Sequence, residues 1–269
     1  MAGTVVIKWG GGLITFKEQL CTVNIEVIDA LAEVCSKTEK RLVIVHGAGS
    51  FGHLRAKYWR LNEGLLPSEK FLQQDDCKNQ EEAVSIVRNE MLTLNRFVSD
   101  SLKKHDLISS VKPPHRWAKN TGSNFEGNIS EIFSDYQESV CVTFGDVVEC
   151  QGEASFGILS GDDLVVRLSK EIPNVKRLVF AIGGVDGILK RPPGVANSDD
   201  LIENWSPGLK FEGLHDTKID VTGGIGLKAA RGAEVAKLGI EVVIVNGSYP
   251  KRVFDACLGK EVLGTKIIA

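Results

Sequence analysis

The chain has 269 residues, 43% of them hydrophobic, and a formal net charge of −3. That is enough apolar material for one large α/β domain or two fused lobes, and the slight acidity leaves no global basic surface for nucleic acid. Six cysteines, at 21, 35, 77, 141, 150 and 257, form no Cys-x-x-Cys pair, so reduced thiols are expected; no run approaches the ~18 apolar residues of a membrane span, the start lacks a signal-peptide layout, and the expected location is the cytoplasm.

In chain order, residues 4–7 form a short run, apolar on both faces, of the kind that makes a buried parallel strand. It ends in Lys8-Trp9-Gly10-Gly11-Gly12, where glycines let backbone N–H groups approach an anion closely. Val27, Ile28, Leu31, Val34 and Cys35 then fall on one helical face. A second strand at 42–45 ends in His46-Gly47-Ala48-Gly49-Ser50-Phe51-Gly52-His53, repeating the first arrangement. Neither turn is a Walker loop, since no Gly-Lys-Ser/Thr follows at the right offset. Neither is a dinucleotide fingerprint, since no acidic residue sits on a strand end about 20 residues later. Two anion-binding turns on neighbouring strands predict two phosphates facing each other.

Val84, Val87, Met91, Leu94, Val98 and Leu102 step by three and four, which predicts a long helix over Gln80–Lys104. Residues 112–130 hold Pro113-Pro114 and many polar residues and read as an irregular loop or hairpin. Strands follow at 140–144, 178–182 and 242–245. Between them, Gly157-Ile-Leu-Ser160-Gly161-Asp162-Asp163-Leu164 opens a helix with two carboxylates, which also fits simple capping. Residues 190–216 read as surface excursions. Asp220-Val-Thr-Gly223-Gly224-Ile-Gly-Leu-Lys228 leads into a helix over 225–238, and a lysine so close to a helix start opposes the dipole unless an anion is its partner. Strands alternating with helices predict an α/β fold with an open, mainly parallel sheet between two helical layers, a three-layer αβα sandwich. A division near residue 173 separates an acceptor-binding lobe, about 1–172, from a nucleotide-binding lobe, about 173–269, within one domain.

Lys8-x-Gly-Gly, Gly47-Ala-Gly-Ser-Phe-Gly-His53, Phe144-Gly-Asp-Val-Val148, Leu159-Ser-Gly-Asp-Asp163, Val185-Asp-Gly187 and Asp220-Val-Thr-Gly-Gly-x-x-x-Lys228 occur in the order typical of amino acid kinases. The chain resembles that family over nearly its whole length, and the segment ending in His53 looks like its isopentenyl phosphate kinase branch. The resemblance implies that Lys8 and Lys228 neutralise the transferring phosphoryl group, that Asp162 holds both lysines, and that Lys17 stabilises the transition state. It implies that Gly10, Gly11 and Gly49 donate N–H groups to ATP, with Gly12, Gly223 and Gly224 on the same side. Ala48, His53 and Gly145 would border the acceptor phosphate, and Gly184, Asp186 and Gly187 the nucleotide. ATP, isopentenyl phosphate, Mg²⁺ carried in with ATP and a homodimer are the implied partners.

Two positions depart from the pattern: Gly12 stands where the family usually has Ser, and Gly183-Gly184 stand where a more polar pair is common. They leave two alternatives open, a kinase for another small phosphate or phosphonate, and a ligand-binding homologue without catalysis. A phosphate monoester, with its second pKa near about 6, needs no strong general base, so a site rich in Gly and Lys suits it. The acceptor's tail needs an apolar pocket beside His53; Met91, Leu94 and Val98 face either that pocket or the core.

Overall fold

Strand β1 (Thr4–Trp9) is buried at every residue and lies at the middle of an eight-stranded sheet. The computed structural model describes residues 3–67, 77–209 and 224–269. Among these, the sheet comprises β1, β2 (Arg41–His46), β3 (Ser109–Val111), β4 (Val140–Phe144), β7 (Val175–Ile182), β8 (Asn204–Trp205), β9 (Glu241–Asn246) and β10 (Gly264–Ile267). Their spatial order is β3-β4-β2-β1-β7-β9-β10-β8. Neighbours from β3 to β9 run parallel, β10 runs against β9, and β8 pairs parallel with β10. A separate antiparallel hairpin is made by β5 (Asp146–Glu149) and β6 (Phe156–Leu159).

The period of two along each strand divides the core. Val5, Ile7 and Trp9 of β1 pack with α2 (Ile25–Lys37), the C-terminal part of α4 (Gln80–Lys104) and α8 (Pro250–Leu258). Val6 packs on the other face, with α6 (Gly161–Glu171) and α7 (Ile225–Ala236). Between the start of α4, the one-and-a-half-turn α3 (His53–Tyr58) and the hairpin lies a third apolar cluster, which includes Val87, Met91, Phe144 and Val147. The expected layers are therefore present.

Local chemistry sets the helix ends. Asn79 caps α4 by accepting from the Glu82 N–H at 2.8 Å, Glu81 and Glu82 fill its first turn, and Lys103 and Lys104 its last, each matching the helix dipole. The expected helix over 225–238 ends at Ala236. Residues 112–130 run irregularly and are closed by one antiparallel bridge, with the Lys119 and Glu126 N–H groups each donating to the other's carbonyl. A single-turn helix, α5 (Ile129–Ile132), follows. Of the 190–216 excursion, residues 190–209 are described and carry a short 3₁₀ turn, Ser198–Asp200, an isolated bridge from Leu201 to Leu189, and β8. No helix among the described residues is long and apolar enough to cross a membrane.

One sheet contains strands from both sides of residue 173. The chain goes from β1 to β2, out to the edge strand β3, back to β4 between β3 and β2, and then crosses to β7 on β1's other flank. This reversal opens a crevice at the carboxyl ends of β1, β2 and β7.

Candidate functional site

Both glycine turns lie at that crevice and touch each other. The first leads into α1 (Gly11–Ile14), a single turn, so its contribution is individual N–H groups rather than a long helix dipole. A Cβ on Gly11 would lie 2.2 Å from the Gly49 nitrogen, and Gly49 itself adopts φ +54° against the Thr15 side chain. Any L side chain at either position would drive the turns apart. The Thr15 hydroxyl staples them, donating to the Gly11 carbonyl at 2.8 Å and accepting from the Ser50 N–H at 3.0 Å. The N–H groups of Gly11, Gly12, Ala48 and Gly49 donate to no group among the described residues, whereas that of Gly10, expected to face ATP, donates instead to the Ala181 carbonyl of β7 at 2.9 Å. Converging unpaired N–H groups form an anion cradle.

Lys8 shares the α6 face of β1 with Val6, and Asp162 stands at the second position of α6. The Lys8 ammonium bonds Oδ1 of Asp162, while Lys228 of α7 donates to Oδ2 at 3.3 Å. Asp162 is fully buried and Lys8 nearly so. Burial pulls the Lys8 pKa down to about 8; Asp162 works against that shift and Lys228 adds to it. One buried carboxylate thus holds two ammonium groups at the cleft wall. The capping reading also holds, but for the neighbouring residues: Ser160 accepts from the Asp163 N–H and donates to its carboxylate. Asp163 in turn binds Arg231 at 2.7 Å, three residues beyond Lys228 on α7.

Lys8, Gly10, Gly11, Gly12, Lys17, Ala48, Gly49, His53, Gly224 and Lys228 line one cavity of about 530 Å³. Lys17 folds over Gly12, where a Cβ would lie 2.1 Å from its Cε. A second, mostly apolar cavity of about 70 Å³ shares Lys8, Gly47, Ala48 and His53 with the first. Its walls are Gly145, Val147 and Ile158 of the hairpin region and Val87 and Met91 of α4. Met91 therefore lines the pocket, whereas Leu94 and Val98 belong to the core between α4 and the sheet.

Other expected residues are placed differently. Gly184 adopts φ +82° in open space, but it, Asp186 and Gly187 are not among the cavity-lining residues. Asp186 accepts from Asn246 at 3.1 Å and pairs with Arg252, and Gly187 packs against Thr265 of β10. Gly223 lies outside the described residues. Gly183, one of the two departures from the family pattern, has a packing reason: a Cβ there would lie 3.0 Å from the Gly12 carbonyl oxygen. Sequence reasoning missed the hairpin wall, the Asp163–Arg231 pair and the buried His46–Asn95 contact behind the second turn. The signal for His46 was there, a polar residue at the end of an apolar strand.

A family model described as the amino acid kinase family matches residues 3–246. An isopentenyl phosphate kinase of Thermoplasma acidophilum is 30% identical over 266 residues, spanning 98% of this chain and 99% of its own. One of Methanothermobacter thermautotrophicus is 29% identical over 269 residues, spanning 98% of each. A crystal structure of an isopentenyl phosphate kinase superposes with a TM-score of 0.80 at 25% identity, over 98% of this chain and 99% of that one.

Proposed function

The chain belongs to the amino acid kinase family, and from that premise we propose that it transfers the γ-phosphoryl group of ATP to isopentenyl phosphate, giving ADP and isopentenyl diphosphate. The observation that carries this reading is the junction at His53, where a cationic, N–H-lined cleft opens onto a small apolar pocket. A phosphate on a short hydrocarbon tail fits that pairing. The near full-length likeness to the two archaeal kinases supports it.

In this reading an oxygen of the acceptor phosphate attacks the γ-phosphorus in line. The bond to the β–γ bridging oxygen breaks, and ADP leaves with that electron pair. The acceptor is largely dianionic at neutral pH, so the chain supplies position and positive charge rather than a base. Lys8, Lys17 and Lys228 neutralise the transferring group, and the buried Asp162 holds Lys8 and Lys228 at a fixed separation. Gly10, Gly11, Gly12, Gly49 and Gly224 face ATP. Ala48, His53 and Gly145 face the acceptor phosphate. Mg²⁺ enters as part of the nucleotide substrate, held by phosphate oxygens and water; both Asp162 oxygens are already taken by lysines, and no cluster of three acidic, His or Cys ligands exists among the described residues. A homodimer and a cytoplasmic location complete the proposal. Buried free thiols at Cys35, Cys77, Cys141 and Cys257 accord with a reducing compartment.

The test is ADP release from ATP and Mg²⁺ with isopentenyl phosphate, against small phosphates lacking the tail. Turnover that depends on the isopentenyl group supports the reading. Turnover equal with every phosphate, or none at all, overturns it.

A further inference from the structure

His46 ends β2 with no solvent exposure, on the α4 side of the sheet. Nδ1 of its ring lies 3.1 Å from the Gly47 carbonyl oxygen, and Nε2 lies 3.3 Å from Oδ1 of the side-chain amide of Asn95 on α4. The other end of that amide is 3.4 Å from the Ser99 hydroxyl. The ring also packs against Phe144, centroid to centroid 4.9 Å. Burial pushes its pKa down to about 4, so the ring is neutral at ordinary pH and carries one proton.

A carbonyl oxygen only accepts, so that proton sits on Nδ1. Nε2 then presents a lone pair, which needs a donor. As placed, Asn95 turns Oδ1 toward Nε2 and Nδ2 toward the Ser99 hydroxyl. Oxygen and nitrogen of an amide are interchangeable by a half-turn, and with the proton on Nδ1 the flipped amide, NH₂ toward Nε2 and oxygen toward the Ser99 O–H, is the one that satisfies both contacts. A directed chain results: Ser99 O–H to Asn95, Asn95 N–H to His46, His46 N–H to Gly47. The Gly47 carbonyl has no other donor among the described residues. In a trans peptide the carbonyl and the following N–H point in opposite directions. Holding the Gly47 oxygen inward therefore turns the Ala48 N–H outward, and Ala48 lines both cavities. The His46 main-chain carbonyl meanwhile accepts from the Gly145 N–H at 3.1 Å, which places the opposite wall.

We infer that His46 is a positioning residue whose Nδ1–H holds the Gly47 carbonyl and so aims the Ala48 N–H at the acceptor phosphate. This rests on the function proposed above. The experiment compares three variants. His46→Asn places an amide donor near the position of Nδ1 and keeps the hold on Gly47. His46→Gln keeps the reach to Asn95 and loses that hold. His46→Phe fills the space and loses both.

A hydrogen bond to a charged group corresponds to about tenfold or more in affinity, so His46→Gln and His46→Phe should raise KM for isopentenyl phosphate by about that factor. KM for ATP should stay within about twofold, since its cradle rests mainly on the first turn. His46→Asn should recover most of the acceptor KM. Equal impairment in all three variants, or an equal rise in the ATP KM, overturns the inference, because the effect then follows lost packing. Nitrogen-15 NMR of the wild-type protein gives a second readout that needs no turnover: Nδ1–H supports the inference and Nε2–H overturns it, even if the variants fail to fold. A wild-type protein inactive on isopentenyl phosphate but carrying the Nδ1–H tautomer would sink the functional reading and leave the hydrogen-bond chain standing.

Discussion

Single residues divide the work of the cleft, and two of them give direct tests. His53 lies where the charged cavity meets the apolar one, so His53→Ala should weaken use of isopentenyl phosphate and spare ATP. The loss expected from one charge-assisted hydrogen bond is about tenfold to a hundredfold in kcat/KM for the acceptor. Kinetics with both substrates varied would show it, and an unchanged acceptor constant would remove the reason for placing the phosphate there. Lys8 gives a pH signature. Its pKa of about 8 lies below the ordinary lysine value because burial disfavours its charge, so kcat/KM for ATP should fall above about pH 8 as the ammonium deprotonates. The stability consequence has the opposite sign. Between about pH 8 and the ordinary lysine pKa the unfolded chain binds the proton that the folded chain has lost, so Lys8's contribution to stability rises with pH in that window. Unfolding of wild type and Lys8→Met across this range would show wild type gaining stability relative to the variant as pH rises; parallel curves would contradict it. Lys8, Asp162 and Lys228 were legible in the sequence because each sits in a motif at the end of a strand or start of a helix. Arg231 and Asn95 were not, because each lies mid-helix at a position indistinguishable from a surface residue until α6 or β2 is packed against it.

At the scale of elements, α4 serves two purposes along one stripe. Its N-terminal half gives Val87 and Met91 to the apolar pocket, and its C-terminal half gives Leu94 and Val98 to the core. Met91→Ala should therefore raise the kcat/KM of longer prenyl phosphates relative to isopentenyl phosphate, by about tenfold on the scale of ~1–3 kcal/mol per methylene-sized difference in a pocket. Leu94→Ala should cost about 2–5 kcal/mol of stability and leave that ratio alone. Thermal unfolding and acceptor kinetics on both variants decide it, and matched behaviour of the two would erase the division. Helix α7 carries Lys228 and is tied to α6 one turn further on by Arg231 and Asp163. Lys228→Met should thus keep its circular dichroism spectrum and melting temperature while losing kcat far more than substrate binding; a variant that merely unfolds would count against a catalytic role. The long helices were readable from their period and the central strands from their apolar runs. The β5–β6 hairpin was not, since its four-residue strands are too short to show alternation; of that region only Gly145 is assigned to the acceptor side, and that through the resemblance.

For the molecule as a whole, the alternation of strands and helices made the three layers legible, while the antiparallel edge of β10 and β8 was hidden in short segments that only the finished sheet defines. The placement of the cleft followed from topology: β1 has β2 on one side and β7 on the other, so turns far apart in sequence meet at one rim. Residues 183 and 12 meet there too. A Cβ at Gly183 would sit tightly, 3.0 Å from the Gly12 carbonyl oxygen, and a Cβ at Gly12 would press on Lys17. Introducing Thr at 183 pushes the first turn, and introducing Ser at 12 pushes Lys17 off it, so the two substitutions act on one small volume and their effects on turnover should not add. A double-mutant cycle on Gly12→Ser and Gly183→Thr should show a coupling of about 0.5–3 kcal/mol in kcat/KM; additive losses would mean the contact carries no energy. Lineages of this chain are then not free to change these glycines in any order: each substitution sets the cost of the other, and whichever comes first decides whether the second is tolerated.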